Sequence, residues 1–224
     1  MIMAGAIIGL AVSAPARSET PRDMLTTAAF QTSDKAKALA LIGRAIAASD
    51  TILSAHPGDR EATLQRGIGI GYRAKLTRSR ADAETSRTIF EGLAAKDPRD
   101  PEAQMVLAGW HLDAIDQLGG MTARLMLGAR TQDGNQALNR AVALGGGRPF
   151  FTGLAAMMRI RQSSPDIADA RKLAEAAAAA PTPTPLDGLM KRAAASILPA
   201  LRANNAKAAA ALARKLMPFG QLVR

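Results

Sequence analysis

The segment His56-Pro57-Gly58-Asp59-Arg60-Glu61-Ala62 returns 41 residues later as Asp97-Pro98-Arg99-Asp100-Pro101-Glu102-Ala103, both with the pattern x-P-x-D-x-E-A. In each, a proline ends a helix, because it has no amide hydrogen and clashes with the turn before it. The aspartate two residues later is placed to accept hydrogen bonds from the first free amides of a new helix. Pro101 suits a first helical turn. A helix stop followed by a helix start, repeated at a fixed interval, marks an array of stacked helix pairs.

Working outward from these two segments, apolar residues recur at steps of three and four, which puts each set on one face of a helix. The stripes are Ala38/Ile42/Ala45/Ser49/Ile52, Leu64/Ile68/Tyr72/Leu76, Ala83/Ser86/Phe90/Leu93 and Ala103/Leu107/Trp110/Ala114/Leu118. Later ones follow at Leu138/Ala141/Val142, Ile167/Ala170/Leu173/Ala177, Leu186/Met190/Ala193/Ile197 and Ala209/Leu212/Leu216. Two further breaks, Gly145-Gly146-Gly147-Arg148-Pro149 and Pro181-Thr182-Pro183-Thr184-Pro185, separate them. Pro199, inside a helical stretch, predicts a kink or break. Apolar residues make up 48% of the chain but aromatics only 3%, so Ala and Leu dominate and strand formers are scarce. Pattern and composition agree on an all-α chain of eight to ten helices.

The run from Asp97 to Ala103 resembles the junction between tetratricopeptide repeats. Between Arg60 and Pro98, Gly67 matches the small residue at which the paired helices touch. Phe90 matches the large hydrophobe of the second helix, with Pro98 eight residues after it. Leu107-Ala108 looks like the Leu-Gly pair of the next first helix, and Leu138 to Leu144 resembles the end of a second helix. Arg66, Ile70, Ser86 and His111 depart from the pattern. The spacing of 41 exceeds the family's, which is about 34, and an insertion falls around Gly119 to Asp133. The resemblance covers Lys35 to Leu144 well and the last third loosely. It implies a tetratricopeptide-like α-solenoid of antiparallel helix pairs over residues 19–224, with junctions near 57–60, 98–101, 145–149 and 181–186. It also implies a scaffolding or peptide-binding role.

Met3 to Val12 is an uncharged apolar run, too short to span a bilayer but suited to the core of a signal peptide. Ala14-Pro15-Ala16 and Ala16-Arg17-Ser18 both fit a cleavage site. Residues 1–18 are expected to be a signal peptide cut after Ala16 or Ser18, although no Lys or Arg precedes the apolar run. The chain is then periplasmic or secreted; without such a signal it is cytoplasmic.

The chain has no Cys and two His, His56 and His111. Thiolate chemistry and disulfides are excluded, and no spacing of His and carboxylates suggests a metal site. Gly67-Ile68-Gly69-Ile70-Gly71-Tyr72 lacks the third glycine of a dinucleotide loop and the Lys-Ser/Thr of a phosphate loop; its glycines are expected to admit neighbouring helices. No catalytic residue, metal or cofactor is expected. The net charge of +10 favours acidic partners. Arg66, Arg73 and Arg80 recur every seven residues and share a face if one helix carries them all. Tyr72 and Trp110, the only Tyr and Trp, are anchor-type side chains. With His111 and with Arg124 of the insertion, Arg66, Tyr72, Arg73 and Trp110 form the candidate partner-binding set. The expected function is a non-enzymatic exported scaffold holding a protein or peptide with an acidic surface. The alternatives are a periplasmic solute-binding protein similar to transporter accessory subunits, and a basic protein in peripheral contact with a membrane. Few aromatics and no recognition motif argue against specific nucleic-acid binding.

Overall fold

A computed structural model describes residues 19–222. The expected signal segment, 1–18, lies outside the described residues. Among the described residues the chain forms helices and no strand. The helices are α1 (Pro21–Phe30), α2 (Lys35–Ala55), α3 (Arg60–Thr77), α4 (Arg80–Lys96), α5 (Pro101–Leu118), α6 (Gly120–Leu127), α7 (Thr131–Leu144), α8 (Pro149–Ile160), α9 (Ile167–Ala179), α10 (Pro185–Arg202) and α11 (Ala206–Leu216).

The four turn segments at 56–59, 97–101, 145–149 and 181–185 all fall at helix boundaries. Asp59 caps α3 by accepting from the Ala62 amide, and Asp100 caps α5 by accepting from those of Glu102 and Ala103. Thr20, Asp34, Ser79, Asp166, Thr184 and Asn205 do the same for six other helices. Each such bond satisfies an amide with no partner in its own helix and is worth about 1 kcal/mol.

Three expectations need correction. Arg80 does not continue the face of Arg66 and Arg73, because α3 stops at Thr77, Arg78 turns left-handed at φ 59°, and Ser79 caps a new helix. Pro199 does not end its helix, since α10 runs on to Arg202. It lies in the last turn, where its missing amide frees only the Ala195 carbonyl. The helices number eleven among the described residues, beyond the eight to ten expected. α1 precedes the first stripe. α8 shows no stripe because it is apolar all round: Phe151, Leu154, Ala155, Ala156, Met157, Met158 and Ile160 are all buried.

Each helix packs on its chain neighbour, except that α5 pairs with α7 and leaves the short α6 resting on α4 and α5. Helices two places apart touch as well, α1 with α3, α3 with α5 and α8 with α10, and α5 reaches α8. The helix α11 lies on α10 and α8. One large core joins α5 and α7 through α11, centred on Phe151, Met157, Met190, Ile197 and Leu201. A second joins α1, α2 and α3 through Leu25, Ile42, Ile46 and Ile70, and it includes Phe219 from beyond α11. Phe30 packs against both.

Glycines set the spacing inside the N-terminal part. A Cβ at Gly67 would stand 2.8 Å from Ile89 and Phe90 of α4, and one at Gly69 would stand 2.8 Å from Ile46 of α2. The backbone of α3 is thereby approached from both sides. Of the described helices, α2 alone has the length and composition to cross a membrane, 21 residues at a mean hydropathy of 1.4. Here it buries Ala38, Ile42, Ala45 and Ile46 against its neighbours.

Candidate functional site

The helix starts of α1, α3 and α5 converge on a network of arginines and carboxylates. Arg22 donates to both oxygens of Glu61 at 2.8 and 2.7 Å and to both of Glu102 at 2.9 Å. Arg60 donates to Asp100 at 2.6 and 2.8 Å and to Glu102 at 2.9 Å. Burial alone would raise the pKa of Glu102, but the bonds from Arg22 and Arg60 hold it below the usual range. At the opposite end of the same helices, Lys75 of α3 meets Asp113 of α5 at 2.8 Å. Two bridges at matched ends mean that α3 and α5 run parallel and in register.

Similar bridges recur along the chain. Arg87 donates to the Leu127 carbonyl at 2.8 Å, and Arg148 to Asp187 at 2.9 Å. The partners lie 39 residues apart for Arg22–Glu61, 40 for Arg60–Asp100, 38 for Lys75–Asp113, 40 for Arg87–Leu127 and 39 for Arg148–Asp187. The interval lies one to three residues below the 41-residue spacing of the x-P-x-D-x-E-A segments, and these five ties each join one helix or its cap to the helix two places on.

The six candidate binding residues do not form one pocket. Arg66 lines a cleft of about 570 Å³ with Asp50, Leu53 and Ser54 of α2, Thr63 of α3 and Ile89 of α4. Its Nε donates to Asp50 at 2.6 Å while the side chain stays about a third exposed. Arg73 is engaged elsewhere, donating twice to Asp82 at 2.8 Å, which fastens the end of α3 to the start of α4. That contact holds the Asp82 carboxyl below its ordinary pKa. The Tyr72 ring meets Phe219 edge-on with centroids 4.9 Å apart, and burial pushes its hydroxyl pKa up.

Trp110 and His111 face inward. The indole of Trp110 donates to the Ala83 carbonyl at 2.9 Å, and the Arg87 guanidinium lies 5.3 Å from its ring centre. The Nδ1 of His111 accepts from the Arg130 amide at 3.2 Å, just where the inserted segment rejoins α7. Burial lowers the His111 pKa, which suits a neutral ring with its proton on Nε2. Trp110 packs with Phe90 and with Ala123 and Ala129 of the insertion. Arg124 is exposed on α6. Beside it α6 presents Met121 and Leu125, 80% and 79% exposed, together with Met126, and Leu118 at the end of α5 is exposed as well.

No protein-family model, curated protein or solved structure matches this chain.

Among the described residues no group of three or more His, Cys, Asp or Glu side chains could hold a metal ion. His56 is exposed in its turn. Sequence reading missed the Arg22–Arg60–Glu102 network, the exposed α6 face and the Phe219 contact. The first carried a signal, since its members recur at the repeat interval. The other two depend on where α6 and the segment after α11 come to lie, which no local pattern encodes.

Proposed function

We propose that this chain is a non-enzymatic, tetratricopeptide-like α-solenoid that holds a protein or peptide partner with an acidic surface. The observation that carries the reading is the set of cross-bridges at intervals of 38 to 40 residues. Stacked units of one period leave the same surface facing the same way in each, and such arrays serve mainly as docking surfaces. The side chains offered for docking are the Arg66 cleft, exposed Arg124 beside the apolar face of α6, and the exposed Lys207, Arg214 and Lys215 of α11. Cations dominate this set, which fits the net charge of +10 and favours an acidic partner. The proposed location is the periplasm or outside the cell, with residues 1–18 as the signal.

A photo-crosslinking amino acid placed at position 66 and, separately, at position 124 of the full chain tests this in cells. The expected product is a reproducible crosslink to a protein of acidic surface, lost when Arg66→Glu accompanies the probe at position 124 or Arg124→Glu the probe at position 66. Crosslinks confined to the chain itself would refute the reading. Sequencing the amino terminus of the exported protein tests the location: the first residue is expected to be Arg17 or Glu19.

A further inference from the structure

Between α5 and α7 the chain makes a short detour that its neighbours hold but do not cover. Gly119 at φ 79° and Gly128 at φ 70° turn the backbone into and out of α6. The underside is fixed, with Ala123 fully buried and the Leu127 carbonyl accepting from Arg87 of α4. The outer side is bare. At 3.6 residues per turn Met121 and Leu125 stand together, with Arg124 on one flank and Met126 on the other, and all four are exposed. No acidic residue lies in α6. Of the chain's 19 Asp and Glu, all but Asp133 make an ion pair or accept a hydrogen bond, and none of those ion pairs uses Arg124 or Arg130. The face is therefore apolar with a cationic edge that the chain itself leaves unmatched.

We propose that this face receives an amphipathic helix of the partner, its apolar stripe laid on Met121, Leu125 and Met126 and its carboxylates along the edge that meets Arg124. The inference rests on the partner-binding reading above and names the part of the partner that α6 takes. An eight-residue helix is about 12 Å long, a ridge matched by about two turns of a second helix. Apolar anchors spaced by a helical turn are how such helices are recognised, and methionines repack around whatever stripe arrives. A second copy of the chain is a poor occupant. Each copy carries +10, so two repel, and their carboxylates are already engaged apart from Asp133. An anionic lipid surface fits less well than a helix. Arg87 binds both the Leu127 carbonyl at the end of α6 and the half-exposed Glu91 at 2.7 Å. A flat surface broad enough to cover α6 would meet that glutamate, whereas a helix about 10 Å across can lie beside it.

The test uses the full chain and three labelled peptides of about 14 residues, about four turns of helix. One carries a Leu stripe flanked by Glu, one the same residues in scrambled order, and one Lys in place of every Glu. Fluorescence anisotropy at about 0.15 M salt is expected to show the ordered Glu peptide binding at least about tenfold more tightly than either control. The exposed double substitution Met121→Ser with Leu125→Ser is expected to cost at least about tenfold in that binding, and Arg124→Glu to turn the preference toward the Lys peptide. Equal binding of ordered and scrambled peptides would overturn the proposal, since it reduces to general attraction between acid and base. Phosphatidylglycerol vesicles that bind through Met121 and Leu125 and displace the Glu peptide would overturn it in favour of lipid. A dimer in sedimentation that the double substitution disperses would overturn it in favour of a second copy. The two readings fail separately. Crosslinks at positions 66 and 124 to an acidic protein, with no binding of the Glu peptide, would sink this inference alone. Crosslinks confined to the chain, with the Glu peptide bound as expected, would sink the reading beneath it and leave the preference of α6 standing.

Discussion

The guanidinium of Arg148, at the start of α8, donates to the carboxylate of Asp187, in the first turn of α10, across 2.9 Å, and the Asp187 side chain has no exposed surface. The same carboxylate accepts from the Phe150 amide at 3.0 Å and the Thr184 hydroxyl at 2.6 Å. Burial works against the charge, but these three donors more than offset it and hold the pKa below the ordinary Asp range. One side chain thus joins two helix starts two elements apart.

Asp187→Ala is expected to lower the unfolding free energy by about 2–4 kcal/mol, because it strands the Phe150 amide and removes a buried partner of Arg148. Urea unfolding followed by circular dichroism measures this. The pH dependence follows from the sign of the shift. The folded pKa is depressed, so the contribution is present above about pH 4, the unfolded value, and is lost as the pH falls through the folded value. The native chain should lose stability more steeply below about pH 4 than Asp187→Asn does. Equal slopes would show that the carboxylate is not held as described.

The buried ring of His111 acts with the same sign for a different reason, since burial here disfavours the charged form. Its folded pKa lies below the unfolded value of about 6.5, so between these values the unfolded chain binds more protons and stability falls as the pH drops. From pH 7.5 to pH 5.5 the native chain should lose at most about 1.4 kcal/mol more than His111→Gln. Its ring proton signals should begin to move only below about pH 6.5, with shifts characteristic of the Nε2–H tautomer.

Helical glycines separate into two kinds. A Cβ at Gly153 in α8 would lie 2.9 Å from the Met190 carbonyl oxygen, which is backbone and cannot step aside, whereas one at Gly43 in α2 meets nothing within 4 Å. Gly153→Ala is expected to destabilise by about 1–3 kcal/mol despite the better helix propensity of alanine. Gly43→Ala should stabilise by up to about 1 kcal/mol. Thermal melts of the two variants check both signs.

Met121 and Leu125 stand out from α6 with no covering residue among those described. Replacing both by Ser should change stability by no more than about 0.5 kcal/mol while weakening the crosslink expected at position 124. A large loss of stability would show that the two side chains are packed.

Local chemistry made most of the fold legible in the sequence. The Asp59 and Asp100 caps, the proline stops and the stripes through Ala38, Ile42 and Ala45 depend only on neighbours within a turn or two. The glycines at 67 and 69 signalled close approach too, but their partners, Ile89 and Phe90 of α4 and Ile46 of α2, are tertiary and no local pattern named them. α8 was not legible as a helix because a periodic signal needs one wet face, and α8 has none. Leu118 and Leu212 belong to stripes yet are 42% and 38% exposed, since periodicity does not say whether another element arrives to cover a face. The candidate site was less legible for the same reason. Trp110 has the chemistry of a partner anchor, and the insertion was expected beside it, but the Ala83 carbonyl that takes its indole N–H was not visible.

The all-round burial of α8 bears on how such a chain can change in length. A stack in which each member touches only its immediate flanks grows or shrinks by gene duplication or loss, since any unit can be copied or dropped at a junction. α8 is walled in by α5, α7, α9, α10 and α11 at once, so a copy inserted beside it would push apart walls that already meet. Length variants of this protein should therefore be tolerated least around α8 and better ahead of α5, where each helix meets its chain neighbours and the helix two places on.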